Sequence, residues 1–215
     1  MNNIYGLIVS SIYIGLVILI SNLFSKAGKE ASRKFIHIMV SNWWIIAMIF
    51  FDNVIFACIM PAAFVVINYL SYRFNIIGSM EREEGKTLGT VYYAISLLII
   101  VILTFGIWHK PELGLVGVLV MGYGDGFAAI AGRAIKSKEY KLLSGNTKTL
   151  AGTITMFAIT MIIVSATLAH LEIEYYFLKS FIISTIITGV EAISIKGTDN
   201  LTVPILTTLL CWLVI

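Results

Sequence analysis

Apolar stretches of 15 to 23 residues recur along this chain with short polar gaps between them, and that spacing constrains its fold more than any other feature. Eight such segments fall at about 4–24, 35–51, 53–72, 89–107, 112–134, 150–169, 174–194 and 201–215. Crossing a bilayer takes about 20 helical residues. Backbone groups in hydrocarbon must bond within their own segment, so runs of this kind become helices. The expectation is an all-α, polytopic transmembrane bundle of seven to eight spans, because the second and last segments are short and thin the bilayer locally or stop partway. Of the 215 residues 59% are apolar and 13% charged, whereas a soluble domain is about a quarter charged. The longer gaps (25–34, 71–88, 133–149) are too short to fold alone, so residues 1–215 read as a single integral membrane domain. No basic residue precedes the first segment and no small-residue cleavage site follows it, so it reads as a span rather than a removable signal. Cys58 and Cys211 sit in different apolar runs and read as inert buried thiols.

The basic residues set the expected orientation. With the N-terminus outside, the inner connections hold Lys26, Lys29, Arg33, Lys34, Arg73, Arg82, Lys86, Arg133, Lys136, Lys138, Lys141, Lys148 and Lys196. Of the 15 Lys and Arg, this leaves Lys110 and Lys179 for the other side. Lys and Arg accumulate in cytoplasmic loops, which places these connections in the cytoplasm of a cell-membrane protein. The outer connections are tiny, so chemistry that needs several polar groups belongs on the cytoplasmic face. Any single Lys there, such as Lys136 or Lys138, reads first as an anchor to anionic headgroups. That ordinary role does not account for the acidic, Gly and Asn residues placed beside them.

Three constellations stand out. Residues 121–133 read Met-Gly-Tyr-Gly-Asp-Gly-Phe-Ala-Ala-Ile-Ala-Gly-Arg, with Asp125 at membrane depth, where a carboxylate is costly and usually functional. Gly122, Asp125, Ala129 and Gly132 are expected on one small-residue stripe that another backbone or a phosphate approaches closely. Next, Lys148 and Thr149 precede Gly152 at the start of a segment, and free helix N–H groups with a basic neighbour suit a phosphate. An ordinary Thr cap beside a snorkelling Lys is the alternative there. Last, Glu191 closes the seventh segment, and Asp199-Asn200 opens the eighth. Asp125, Glu191 and Asp199 then converge on one leaflet as hard oxygen ligands of the kind that suit Mg²⁺ held together with substrate phosphates.

Weaker candidates are Arg33, Lys34 and His37 at the start of the second segment, where Arg33 and His37 share a face. Asn68, Tyr72 and Asn75 share another face, and Arg82 and Glu83 follow in the next gap. Gly85-Lys86-Thr87 lacks the upstream glycine and strand of a phosphate-binding loop.

Read together, these stretches resemble the phytol kinase, dolichol kinase and CTP-dependent diacylglycerol kinase group, and more distantly the phosphatidate cytidylyltransferases. The resemblance rests on Arg33-Lys34-x-x-His37, on Arg82-Glu83 with Gly89-Thr-Val-Tyr-Tyr93, on Gly124-Asp125-Gly126 with Gly132-Arg133 and Lys148-Thr149-x-Ala151-Gly152, and on Glu191-Ala-x-Ser194 with Gly197-x-Asp199-Asn200 through Pro204. These run in order over residues 33 to 204. Ile195-Lys196-Gly197 stands where many relatives have Pro-x-Gly.

The resemblance implies transfer of the CTP γ-phosphoryl group to a lipid hydroxyl with a divalent cation, and no nucleic acid partner. The acceptor is a membrane lipid alcohol such as phytol, geranylgeraniol, a polyprenol or diacylglycerol. Mg²⁺ is expected on Asp125 with Asp199 or Glu191, and phosphates on Lys148, Thr149, Gly152, Arg133, Arg33 and Asn200. Glu191 or Asp199 is expected to take the acceptor proton. The competing readings are a cytidylyltransferase acting on a lipid phosphate and an ion-coupled transporter, although no internal repeat of the transporter kind is visible.

Overall fold

The computed structural model describes residues 2–24, 28–74, 76, 87–141, 147–195 and 197–215. Helices dominate them: α1 (Asn3–Phe24), α2 (Lys29–Ser41), α3 (Trp43–Phe50), α4 (Val54–Phe74), α5 (Gly89–Val101), α6 (Pro111–Leu119), α7 (Gly126–Ala134), α8 (Leu150–His170), α9 (Tyr176–Ile193) and α10 (Asp199–Leu213). Among the described residues six rods are long and apolar enough to cross a membrane: Asn3–Leu23, Val54–Phe74, Gly89–Ile107, Pro111–Ala134, Leu150–His170 and Tyr176–Ile193. The other two of the eight apolar segments are the rod α2–α3, interrupted at Asn42, and the 15-residue α10. The bundle is polytopic and helical, as its apolar periodicity implies.

The rod formed by α6 and α7 is the centre of the bundle. Its most apolar window is 67% buried, against 17–44% for the other five long rods. Small residues make that enclosure possible. A Cβ on Gly114 would overlap the ring of Trp44, itself fully buried, and one on Gly117 would meet Thr208 and the Pro204 carbonyl. Leu113, Val116, Val118, Val120 and Met121 fill the surrounding space. The lipid-facing sides of the outer rods carry residues such as Ile12 and Leu19, because hydrocarbon outside makes apolar exposure free of cost.

Two stretches wind as π-helix, Ile102–Ile107 after α5 and Val120–Asp125 between α6 and α7. Single π turns inside α-helices are rare and gather at functional sites. The second one ends on Asp125, and its wider turn divides the small-residue stripe expected of a regular helix. Gly122 faces Ser41 of α2, whereas Gly132 faces Thr149 and Gly152 beside α8.

The gap over 133–149 holds two short strands that a helical reading passes over. Strands β1 (Glu139–Lys141) and β2 (Thr147–Thr149) pair antiparallel, with Tyr140 opposite Lys148. The hairpin leads directly into α8 and aims Lys148.

The two ends of the bundle differ in chemistry. At one end Asn3 donates to Asp52 at 2.7 Å, Trp108 stacks on Trp212 at 4.8 Å, and Lys179 donates to the Val214 carbonyl at 3.2 Å. The starts of α2, α5, α8 and α10 and the ends of α7 and α9 gather at the other, and there the polar residues meet.

Candidate active site

Asp125 closes the π turn of the central rod, Glu191 lies in the last turn of α9, and Asp199 is the first residue of α10. The fold brings one carboxylate oxygen from each to within 4.8 Å of the other two. Asp125 and Glu191 are buried, and Asp199 is half-buried. A cluster of three acidic oxygens in so little space requires cations, and two lysines supply them. Lys34 pairs with Asp125, and Lys148 with Glu191. Arg33 and His37, on the same helix as Lys34, add positive potential at Asp125.

Lys148 lies in the hairpin, outside the membrane-spanning segments. Burial alone would lower its pKa, but the Glu191 carboxylate beside it, helped by Asp199 and Asp125, raises it above the ordinary lysine value. Lys148 is therefore a cation throughout the neutral range.

The turn between α9 and α10 sets Asp199 by close backbone approach. Gly197 has φ +86°, and a Cβ there would lie 2.9 Å from Gly89 Cα. Asn200 is buried, and its amide donates to the Gly89 carbonyl at 2.8 Å. Asn200 thus ties α10 to the start of α5, a positioning contact that the phosphate role expected of it did not anticipate.

The start of α8 differs from expectation in a related way. Leu150 N–H bonds to the Lys138 carbonyl at 2.9 Å, Ala151 N–H to Ser137 Oγ at 3.1 Å, and Gly152 N–H to Thr149 Oγ1 at 3.2 Å. The chain entering from β1 folds back over the helix end and fills the donors that a phosphate would use. Thr149 is a helix cap, and Gly152 is a contact glycine whose Cβ would stand 3.0 Å from the Ala128 carbonyl. Cationic side chains, rather than these N–H groups, remain to meet an anion.

Arg133 is exposed at the end of α7. Arg33 and His37 are buried, and His37 stacks on Tyr93 at 4.2 Å. Asn68 donates to the Thr90 carbonyl at 3.0 Å. Arg82, Glu83 and Asn75 lie outside the described residues. In the sequence Tyr93 reads only as the end of the Gly89-Thr-Val-Tyr-Tyr93 motif, with no role of its own, and Ser137 and Tyr140 have none; the Tyr140 hydroxyl hydrogen-bonds Thr153 and so braces the hairpin. The Gly145-Asn146 pair, a turn signal between two short runs, is the local feature that could have exposed the hairpin.

A helical membrane protein with a triad of carboxylates, two buried and one half-buried, paired with lysines at one end of its bundle, is the class that fold and site define. Known proteins narrow it. Phytol kinase of Synechocystis sp. is 31% identical over 212 residues, covering 93% of this chain and 87% of that protein. Chloroplastic phytol kinase 1 of Arabidopsis thaliana is 29% identical over 207 residues, and a probable chloroplastic phytol kinase 1 of rice is 29% identical over 208. Each covers 86% of this chain, which spans 66% and 64% of their own lengths. No family model matches, and no solved structure matches. The chain belongs to the phytol kinase family, whose members are kinases of a lipid alcohol.

Proposed function

We propose that this protein transfers the γ-phosphoryl group of CTP to the hydroxyl of an isoprenoid alcohol of the phytol class, at the cytoplasmic face of the cell membrane. The observation that carries the reading is the convergence of Asp125, Glu191 and Asp199 between two lysines. Three carboxylate oxygens this close fit a hard divalent cation, and Mg²⁺ is the ion ordinarily held by carboxylates together with phosphates. When bound there, Mg²⁺ would neutralise charge on the transferring phosphoryl group.

The side chains divide the remaining work. Lys148 and Lys34, paired with carboxylates in the structure, are placed to exchange those partners for phosphate oxygens, with Arg33 and Arg133 adding positive potential. The acceptor oxygen bonds to the γ-phosphorus as the bond from that phosphorus to the β–γ bridging oxygen breaks, and CDP leaves. The hydroxyl proton passes to a carboxylate, Glu191 or Asp199. Phosphoryl transfer asks for positioning and charge more than covalent help, and a rigid, water-poor cluster supplies both.

The cytoplasmic orientation rests on charge placement. Lys34, Arg73, Arg133, Lys136, Lys138 and Lys148 share the carboxylate end, whereas Lys110 and Lys179 lie at the opposite one. CTP as donor rests on the family resemblance of the four motifs.

The test is label transfer by purified protein in nanodiscs with Mg²⁺, CTP and a panel of lipid alcohols. Organic-phase label from γ-labelled CTP and none from α-labelled CTP is expected. Label from the α-phosphate would make the protein a cytidylyltransferase, and transfer from ATP alone would remove CTP.

A further inference from the structure

A partly enclosed cleft lies between α1, α2, α4 and α5, and about 530 Å³ of non-atom space falls within it, its open mouth included. Its lining is graded in polarity. Arg33, His37, Asn68 and Tyr93 stand towards the carboxylate end, and Phe64 and Leu97 stand deeper along the same helices. The walls formed by α1 and α4 are among the least covered in the bundle, 28% and 22% buried, so the apolar part adjoins lipid.

Two buried polar atoms at the upper part have no hydrogen-bond partner among the described residues: Asn68 Oδ1 and the Tyr93 hydroxyl. Asn68 is 7% exposed and Tyr93 6%. The Asn68 amide is fixed by its donation to the Thr90 carbonyl, which accepts only and so leaves the amide oxygen as the unused atom. Stacking on His37 holds the Tyr93 ring. Leaving a buried polar atom without a partner is costly, so such atoms mark places where something else bonds.

Their chemistry selects the ligand. An amide oxygen accepts, and a phenol donates. A neutral hydroxyl, which donates one hydrogen bond and accepts another, satisfies both. A carboxylate or phosphate headgroup would set its oxygens against Asn68 Oδ1. The site also adjoins the carboxylates, since Tyr93, Arg33 and His37 all lie within the electrostatic reach of Asp125.

We propose that this cleft seats the acceptor alcohol, its hydroxyl held between Asn68 and Tyr93 and its hydrocarbon running past Phe64 and Leu97 into the bilayer. The assignment rests on the lipid-kinase reading above, and it adds a location and two specificity residues. Asn68 and Tyr93 hold the hydroxyl, and α1 and α4 form the lateral entrance.

The experiment combines photolabelling with kinetics on full-length protein in nanodiscs. A long-chain isoprenoid alcohol carrying a diazirine in its chain is expected to label peptides of α1, α4 or α5, in competition with unlabelled alcohol. Asn68→Leu is expected to raise the alcohol KM about tenfold, the scale of one lost hydrogen bond, with the nucleotide KM unchanged. Ala94→Phe, which fills the cleft from its fully buried side, is expected to do the same or more. Tyr93→Phe keeps the ring and removes a hydroxyl without a partner, so it folds as the parent does and raises the alcohol KM severalfold. Labels confined to α8 or α9, or an unchanged alcohol KM in Asn68→Leu and Tyr93→Phe, would overturn the cleft while leaving the kinase reading intact. Wild-type protein that phosphorylates no alcohol would overturn the kinase reading, and the position of the photolabel would still decide the cleft.

Discussion

Lys34 and Asp125, 91 residues apart in sequence, form an ion pair in which the side chains are 8% and 11% exposed. Removing one partner of a buried pair costs about 3–5 kcal/mol, because the other charge is left uncompensated. Asp125→Asn is therefore expected to lower thermal stability and, by removing one oxygen of the proposed Mg²⁺ site, to cut turnover by at least about 100-fold. Lys34→Met is expected to destabilise comparably. The double variant Asp125→Asn/Lys34→Met should recover most of the stability and none of the turnover, since a neutral pair leaves no orphan charge. Tryptophan fluorescence melts and γ-label transfer measure the two. Near wild-type turnover in Asp125→Asn would remove it from the chemistry.

Lys148 bonds Glu191 from a hairpin and is less enclosed than Lys34. Lys148→Ala is expected to raise the nucleotide KM about tenfold, the scale of a charge-assisted hydrogen bond of roughly 1.5–3 kcal/mol partly replaced by water. The alcohol KM should stay as it was. The pKa of Lys148 is raised in the fold, so the contribution of its cation is complete below the unfolded lysine value of about 10.4 and is lost as pH climbs through the higher folded value. Nucleotide KM measured from about pH 7 to 9 should accordingly show no step that Lys148→Ala abolishes. Such a step would show that Lys148 titrates in that range and contradict its pairing with Glu191.

The helices were legible because apolar runs of membrane length have one structural solution, and the carboxylates because acidic residues at membrane depth are conspicuous. What the sequence hid was pairing. Nothing local tells that Lys34 reaches Asp125 rather than a lipid headgroup. The expected start of the second segment at residue 35 likewise treated Arg33 and Lys34 as loop charges, yet α2 begins at Lys29 because their partners lie inside the bundle. The π turn was hidden for a different reason: periodicity assumes 3.6 residues per turn, and one wide turn moves Gly122 and Gly132 onto different neighbours. The N–H groups at the start of α8 looked free because the residues that fill them, Ser137 and Lys138, come from a hairpin that a helix-oriented reading does not contain.

Gly197 controls Asp199 at one remove. Its φ of +86° disfavours any Cβ, and a Cβ would also sit 2.9 Å from Gly89 Cα, which is backbone and does not rotate away. Gly197→Ala is expected to cost about 1–3 kcal/mol of strain and to push the start of α10 off α5. Asp199 then leaves the acidic cluster, so the Mg²⁺ concentration for half-maximal label transfer should rise severalfold before the alcohol KM changes. A variant with unaltered Mg²⁺ dependence and full stability would show that the Gly197–Gly89 contact does not position Asp199.

The proposed cytoplasmic orientation of the carboxylate end rests on where the charges sit and is open to a direct chemical test. The exposed hairpin residue Lys138 lies at the carboxylate end, and the turn residue Glu172 lies at the other. Single cysteines at these positions, on a Cys58→Ala background, give one probe for each face; Cys211 is fully buried and is expected to stay unreactive. In intact cells a membrane-impermeant maleimide should modify Glu172→Cys and spare Lys138→Cys, and permeabilisation should expose the second. The expectation is firm because inverting the bundle would place most of its basic residues on the side that Lys and Arg avoid. It also bears on the chemistry, since nucleoside triphosphates are cytoplasmic. Modification of Lys138→Cys from outside would put the carboxylates out of reach of any such donor and end the kinase mechanism drawn from them.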